Sequence, residues 1–281
     1  MQPLLIIHGG MGSREGDHAL FEEYAEHLRR IVKDSYEILQ SGTAQEAVRA
    51  AVRKLEDDAI FNAGTGSRLQ RDGEARMSAA IMDTKQNIFA GVMNIQKVRN
   101  PIEVAARLVE EPHHVLAGLE ATAYARSIGV PEYDPVTVHR LREHKQKEKG
   151  SKGTVGAVAI DAHGVICAGT STGGVGYEIP GRVSDSATVA GNYARKGIGV
   201  SCTGIGEDIV NHAAAARLAV RAGYGGSLIQ AAESVIAEAA ADGFEYGFIA
   251  VNQNGDWVAE QTHEVTTLFA VYDGKIKTFL G

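Results

Sequence analysis

Cysteine is almost absent from this sequence: there are two in 281 residues, Cys167 and Cys202, each inside an apolar stretch. A disulfide framework needs more than that, so both read as buried free thiols. Long apolar runs are missing as well. No stretch approaches the roughly 20 residues that a membrane-spanning helix requires. The first residues, Met1-Gln2-Pro3-Leu4-Leu5-Ile6-Ile7, carry no basic group and too short an apolar run for a secretory signal. The expected location is therefore the cytoplasm, with no membrane partner. Positive charge is in short supply too. The net charge is −7 and no long basic run lies on an expected helix or strand, which argues against nucleic acid as a partner.

What the sequence has in excess is glycine. Its 33 glycines are roughly 12% of the chain, against about 7% in average usage. They are not periodic, so collagen is excluded. They cluster at Gly9-Gly10, Gly64 to Gly66, Gly173-Gly174 and Gly204 to Gly206, mostly beside hydroxyl residues. Glycine at such places lets backbone N–H groups approach a ligand closely. With 44% hydrophobic and 22% charged residues, the rest is the profile of a globular domain. The length suits one large domain, residues 1–281.

Leu4 to Ile7 reads as a buried strand stopped by His8-Gly9-Gly10. Asp17 to Gln40 and Ala44 to Leu55 carry helical spacing, with Gly42 between them. Ser78 to Thr84 and Ile88 to Gln96 form an expected hairpin around Lys85-Gln86-Asn87. A helix is expected at Asn100-Pro101, with asparagine as N-cap and proline in the first turn. Another is expected from His113 to Gly129. From Pro131 to Gly153 the chain turns charged and poor in hydrophobics, too polar to bury, and reads as an exposed flexible linker. Apolar chain resumes at once. Val155 to Asp161 and Val165 to Thr170 are expected strands. Helices are expected from Glu207 to Arg221 and Ser227 to Ala241. Strands close the chain at Gly247 to Asn252, Trp257 to Thr262 and Leu268 to Leu280, the last broken by Asp273-Gly274. Hairpins argue for antiparallel sheets and paired helices for an outer layer on each sheet. The natural packing is helix, sheet, sheet, helix, an α+β fold.

Gly153-Thr154-Val155-Gly156-Ala157-Val158 places a hydroxyl residue between the polar linker and a buried strand. A threonine hydroxyl is a weak nucleophile, which a free α-amine on the same residue can activate as base. That amine titrates near pH 8 in model compounds, at roughly 7.7–8.0. An internal Thr154 acquires it only if the chain is cut after Gly153, where glycine permits the backbone strain of an attack on its own carbonyl. Three further blocks accompany it. Thr170-Ser171-Thr172-Gly173-Gly174 would return hydroxyls toward Thr154 in a hairpin, or be a plain Ser/Thr-rich turn. Gly181-Arg182-Val183-Ser184-Asp185-Ser186 offers a cation and an anion that can hold an amino-acid zwitterion, or form a surface ion pair. Ser201-Cys202-Thr203-Gly204-Ile205-Gly206-Glu207 opens a helix and offers an oxyanion hole, or an ordinary helix start.

In this order the four blocks resemble the plant-type asparaginase / isoaspartyl peptidase family of N-terminal-nucleophile hydrolases. His8-Gly9-Gly10, Phe61-Asn62-Ala63-Gly64-Thr65-Gly66, Ala80-Ile81-Met82-Asp83 and Val98-Arg99-Asn100-Pro101-Ile102 are similar to that family's N-terminal blocks. The resemblance covers nearly the whole chain except the linker. It implies a four-layer αββα sandwich, autocleaved into an α subunit, residues 1–153, and a β subunit, residues 154–281. It implies that Thr154 forms an acyl-enzyme and releases aspartate from asparagine and β-aspartyl dipeptides. Thr172 would position the nucleophile. Arg182 and Asp185 would bind the α-carboxylate and α-amine, Thr203 and Gly204 the oxyanion, and Gly206 would add substrate contacts. Asn62 would lie near the site and assist cleavage. Catalysis would need no cofactor. The family's structural sodium loop maps onto backbone carbonyls of Leu55, Glu56, Asp58, Phe61, Ala63 and Thr65; such carbonyls suit a hard cation. Members usually pair as (αβ)₂. Departures from the family pattern are Ser78 for an acid, Ser184 for a glycine, and a stretch from Ser186 to Tyr193 about one residue short.

Other readings meet objections in the residues. A dinucleotide loop at Gly204-Ile205-Gly206 lacks its third glycine, where Ile209 stands. A metal enzyme built on His113, His114, His139 and His144 lacks ligand spacing on a helix face. An uncleaved, non-catalytic relative conflicts with the presence of every chemical group needed. A glycosylasparaginase-type amidase fits the Thr154 and Thr172 blocks less well than the asparaginase branch. A threonine endopeptidase would need a long protein-substrate surface.

Overall fold

The computed structural model describes residues 2–13, 18–147, 153–223, 226–262 and 265–281. Its elements run β1 (Leu4–Ser13), α1 (His18–Ser41), α2 (Ala44–Asp57), β2 (Met77–Asp83), β3 (Phe89–Ile95), α3 (Pro101–Arg107), β4 (Val115–Ala117), α4 (Gly118–Ser127) and α5 (Val138–Lys145). After the linker come β5 (Val155–Ile160), β6 (Ile166–Thr172), β7 (Asn192–Arg195), β8 (Ile198–Gly204), α6 (Gly206–His212), α7 (Ala214–Gly223), α8 (Leu228–Ala241), β9 (Tyr246–Asn252), β10 (Trp257–Gln261), β11 (Val265–Tyr272) and β12 (Ile276–Thr278).

The strands form two sheets. One has eight strands in the order β12-β11-β1-β5-β6-β2-β3-β4, the other four in the order β10-β9-β8-β7. All pairings are antiparallel except β3 with β4. The continuous apolar run of β1 fits a strand covered on both faces. Leu5 and Ile7 point into a core shared with α1 and α2, while Leu4 and Ile6 join a second core with Ile249 and Val251 of the smaller sheet. That alternation is the period of two of a strand. The other face of the smaller sheet, with Val200, Phe248 and Ala250, packs on Leu218 of α7 and Val235 of α8. Among the described residues, no helix is long and apolar enough to cross a membrane.

α2 shows how local sequence fixes an element. Thr43 and Glu46 form a capping box, each side chain accepting from the other's backbone N–H. Ala47, Val48, Ala51, Val52 and Leu55 then line its buried face at helical spacing.

Several expectations need correction. β1 does not stop at His8-Gly9-Gly10; it continues to Ser13 through an irregularity between His8 and Met11. The helix expected from His113 to Gly129 is a short strand followed by a shorter helix, because Gly118 takes a left-handed φ of +65°. The helix expected from Glu207 to Arg221 is two helices, broken at Ala213, which is left-handed at φ +51°. Asn100 precedes α3 but its side chain makes no cap; it donates instead to Asp57 Oδ1 at 3.1 Å. Part of the stretch expected to be loop is the helix α5. Thr137 caps it, and its buried Arg140 donates through Nε to the Gly66 carbonyl at 2.6 Å. Residues 148–152 of that stretch lie outside the described residues.

Candidate active site

Thr154 stands immediately before β5, and the β5–β6 hairpin pairs Val155 with Ser171. That register brings Thr172, the last residue of β6, beside Thr154. The Thr154 hydroxyl donates to Thr172 Oγ1 at 3.2 Å, and the Gly174 N–H donates to the same oxygen at 3.2 Å. Both threonines are buried. Alternation along β6 separates its three hydroxyls. Thr170 and Thr172 face the smaller sheet, while Ser171 faces α2, where it donates to Glu56 Oε1 at 2.7 Å.

The smaller sheet supplies the next pair. The Thr203 hydroxyl, on β8, donates to the main-chain carbonyl of Thr154 at 3.3 Å. Gly204 follows at φ +141°, a conformation that side-chain-bearing residues rarely adopt, and a Cβ there would come within 2.6 Å of the Tyr246 backbone.

Arg182 and Asp185 sit on the loop between β6 and β7. Glu207, at the start of α6, grips one edge of the guanidinium: Nε donates to Oε1 at 2.7 Å and Nη2 to Oε2 at 2.8 Å. Burial disfavours the charge on Arg182, but this carboxylate outweighs it and raises the pKa. Asp185 is buried and its Oδ2 has no hydrogen-bond partner among the described residues. Burial pushes its carboxyl up to about 7, against the pull of its own backbone N–H and the Ser184 hydroxyl. A Cβ on Gly206 would meet Asp185 Oδ1 at 2.8 Å.

Thr154, Thr172, Arg182, Asp185, Gly204 and Gly206 line one small cavity of about 10 Å³, with Gly153 on its wall. Thr203 lies behind it. Asn62 is on the opposite side of Gly153, whose Cβ position would be 2.7 Å from Asn62 Cβ. Asn62 donates through Nδ2 to the Gly174 carbonyl at 2.5 Å, and its own carbonyl accepts from the Gly173 N–H at 2.8 Å. The expected site residues therefore converge, apart from the six carbonyl residues of the Leu55 to Thr65 segment. These belong to the last turn of α2 and the loop after it, and none of them lines the cavity.

Sequence reading missed three supporting groups. His8 Nε2 lies 2.9 Å from Ser201 Oγ, which is 2.7 Å from Thr170 Oγ1, which donates to Asn192 Oδ1 at 3.0 Å. This buried chain ties the two sheets together beneath Thr154, and burial lowers the His8 pKa to about 3, leaving the ring neutral. Glu56 is the second, fully buried and accepting from both Ser171 Oγ and the Ile102 N–H of α3. Glu207 is the third. Polar residues at strand positions expected to be buried, such as Ser201 and Thr170, were the available signal for the first.

Comparison with known proteins places these residues in context. A family model described as asparaginase matches residues 1–280. An isoaspartyl peptidase/L-asparaginase of Synechocystis sp. is 42% identical over 275 residues, covering 91% of this chain and 83% of the relative. A protein of the same name from Nostoc sp. is 40% identical over 297 residues, covering 98% and 93%. A plant-type L-asparaginase of Pyrococcus abyssi is 41% identical over 227 residues, covering 72% and 74%.

Proposed function

We propose that this chain, which belongs to the asparaginase family, is an autocleaving threonine hydrolase that releases aspartate from asparagine and from β-aspartyl dipeptides. The observation that carries the reading is the Thr154 hydroxyl held on Thr172 in a cavity walled by Gly153, Arg182 and Asp185. The layered packing of helices on two stacked sheets supports the αββα sandwich expected of such hydrolases.

In the first reaction Thr154 Oγ1 attacks the Gly153 carbonyl carbon, and the peptide bond shifts to an ester. Water hydrolyses the ester, leaving a Gly153 carboxylate and a free Thr154 amine. In the second, that amine takes the hydroxyl proton as the oxygen attacks the substrate's side-chain carbonyl. The nitrogen leaves protonated, as ammonia or as the amine of the second residue, and water releases aspartate from the acyl-enzyme. Arg182, oriented by Glu207 at Nε and Nη2, presents Nη1 to the α-carboxylate. Asp185, in its ionised form, accepts from the α-ammonium. Thr203 and Gly204 would supply donors to the developing oxyanion. A cavity of about 10 Å³ holds at most one water, so the intact chain has no room for substrate. Departure of the Gly153 end would create that room.

The Leu55 to Thr65 loop fits a structural sodium. Leu55 and Glu56 lie in the last turn of α2, whose carbonyls lack helical partners and carry the negative end of the helix dipole. The loop returns over them, with the Thr65 N–H on the Glu56 carbonyl at 2.7 Å. The six carbonyls named above would hold the ion, which would brace the loop leading to Asn62. An (αβ)₂ assembly and a cytoplasmic location complete the proposal; two free buried thiols suit a reducing compartment.

Intact-mass spectrometry after incubation at neutral pH tests it. Two chains split between Gly153 and Thr154, with aspartate released from asparagine, are expected. One persistent chain without hydrolysis would refute the reading and leave a non-catalytic relative.

A further inference from the structure

Glu178 is a buried carboxylate whose two oxygens, Oε1 and Oε2, have no hydrogen-bond partner among the described residues. It lies on the loop between β6 and β7, directly over Gly174: a Cβ on that glycine would stand 2.0 Å from Glu178 Oε1. Gly174 is a wall of the Thr154 cavity. Glu178 itself lines a neighbouring cavity of about 520 Å³, together with Arg71, Arg182 and Glu207. The two cavities share Val175 and Arg182, so the larger one is the vestibule of the smaller.

An ionised carboxylate buried without a donor is costly, and proteins ordinarily pair such groups. Arg182 attracts it through space but commits Nε and Nη2 to Glu207. Arg71, the other cation of the vestibule, is exposed and donates through Nε to the Tyr177 carbonyl at 3.2 Å. Glu178 is therefore an acceptor with no donor, packed over Gly174 in the wall between the nucleophile's cavity and its neighbour.

We propose that Glu178 is a specificity-determining residue that selects β-aspartyl peptides whose second residue carries a cationic side chain. The inference rests on the function proposed above. The aspartyl unit occupies the small cavity, between Arg182 and Asp185. The second residue then lies in the vestibule. Its side-chain ammonium or guanidinium donates to Glu178, and its α-carboxylate faces Arg71. The amide C–N bond breaks, the nitrogen leaves with a proton as the amine of the basic residue, and water's oxygen ends on the aspartate carboxylate. Asparagine, whose leaving group is ammonia, does not reach Glu178.

The test compares kcat/KM for β-aspartyl-lysine and β-aspartyl-norleucine, which share a straight side chain and differ in the charge. A charge-assisted hydrogen bond in a water-poor pocket predicts a preference for lysine of roughly tenfold or more, expressed mainly in KM. Glu178→Gln should bring the ratio near one, and Glu178→Lys should invert it. Acetylation of the lysine ε-amine in the dipeptide removes the cation without touching the protein, and should lower kcat/KM to the norleucine level. Equal hydrolysis of both dipeptides by the unaltered enzyme, or a lysine preference that survives acetylation or Glu178→Gln, would overturn the inference while leaving the hydrolase reading intact. No hydrolysis of either dipeptide or of asparagine would overturn both.

Discussion

Replacing Glu56 with glutamine should change how stability depends on pH. Glu56 is fully buried, and burial pushes its carboxyl up to about 8 from 4.5, against the hydrogen bonds from Ser171 and the Ile102 N–H. The folded chain thus holds a proton that the unfolded chain gives up above pH 4.5. The stability this proton contributes is complete below 4.5, falls as pH rises toward 8, and is gone above it. At pH 7 the loss is about 2.5 pH units, or about 3 kcal/mol at 1.36 kcal/mol per unit. Glutamine keeps the acceptor for Ser171 and Ile102 and stays neutral in both states, so it escapes this loss. The comparison is made in a Thr154→Ala background, so that one chain unfolds. Urea unfolding of Thr154→Ala with and without Glu56→Gln, from pH 4.5 to 8, should give curves that diverge by about 3 kcal/mol at pH 7 in favour of glutamine. Parallel curves would refute the neutral carboxyl and mean that Glu56 keeps its charge in the fold.

Three further outcomes are expected. Thr154→Ala should remain a single chain by intact mass and release no aspartate; hydrolysis by this variant would remove Thr154 as nucleophile. Below pH 7, kcat/KM should fall more steeply than tenfold per unit, because Asp185, pushed up to about 7, takes a proton and stops accepting from the substrate ammonium while the Thr154 amine is protonated as well. A flat profile from pH 5 to 8 would contradict that role. Glu207→Gln should raise KM for asparagine by roughly 3- to 10-fold, because the half-buried pair that orients Arg182 loses its charge on the exposed Glu207 side; an unchanged KM would show that Arg182 is held by other means.

Much of this was legible in the residues because the signals were apolar or local. Leu4 to Ile7 could only be a covered strand, and Thr43 with Glu46 marks a helix start whatever surrounds it. A hairpin of two apolar runs offered a return of hydroxyls toward Thr154, and Thr172 Oγ1 lies 3.2 Å from the Thr154 hydroxyl. What escaped reading was polar and long-range. α5 carries almost no apolar face, and its anchors are polar: the Arg140 guanidinium reaches back 74 residues to the Gly66 carbonyl, and Glu143 pairs with Arg68. No periodicity announces such an anchor. The break at Ala213 needs a left-handed alanine, for which the sequence offers no cue. Glu56 sits in α2 beside Leu55, where an acid near a helix end reads as solvated. Its burial arises because α3 arrives with a proline at its first position and an Asn100 side chain turned elsewhere. The Ile102 N–H then needs an acceptor, and Glu56 supplies it while its same oxygen accepts from Ser171. One carboxyl thus couples a helix cap to the strand that ends in Thr172, so the missing cap of α3 and the placement of the residue that holds the nucleophile have the same physical cause.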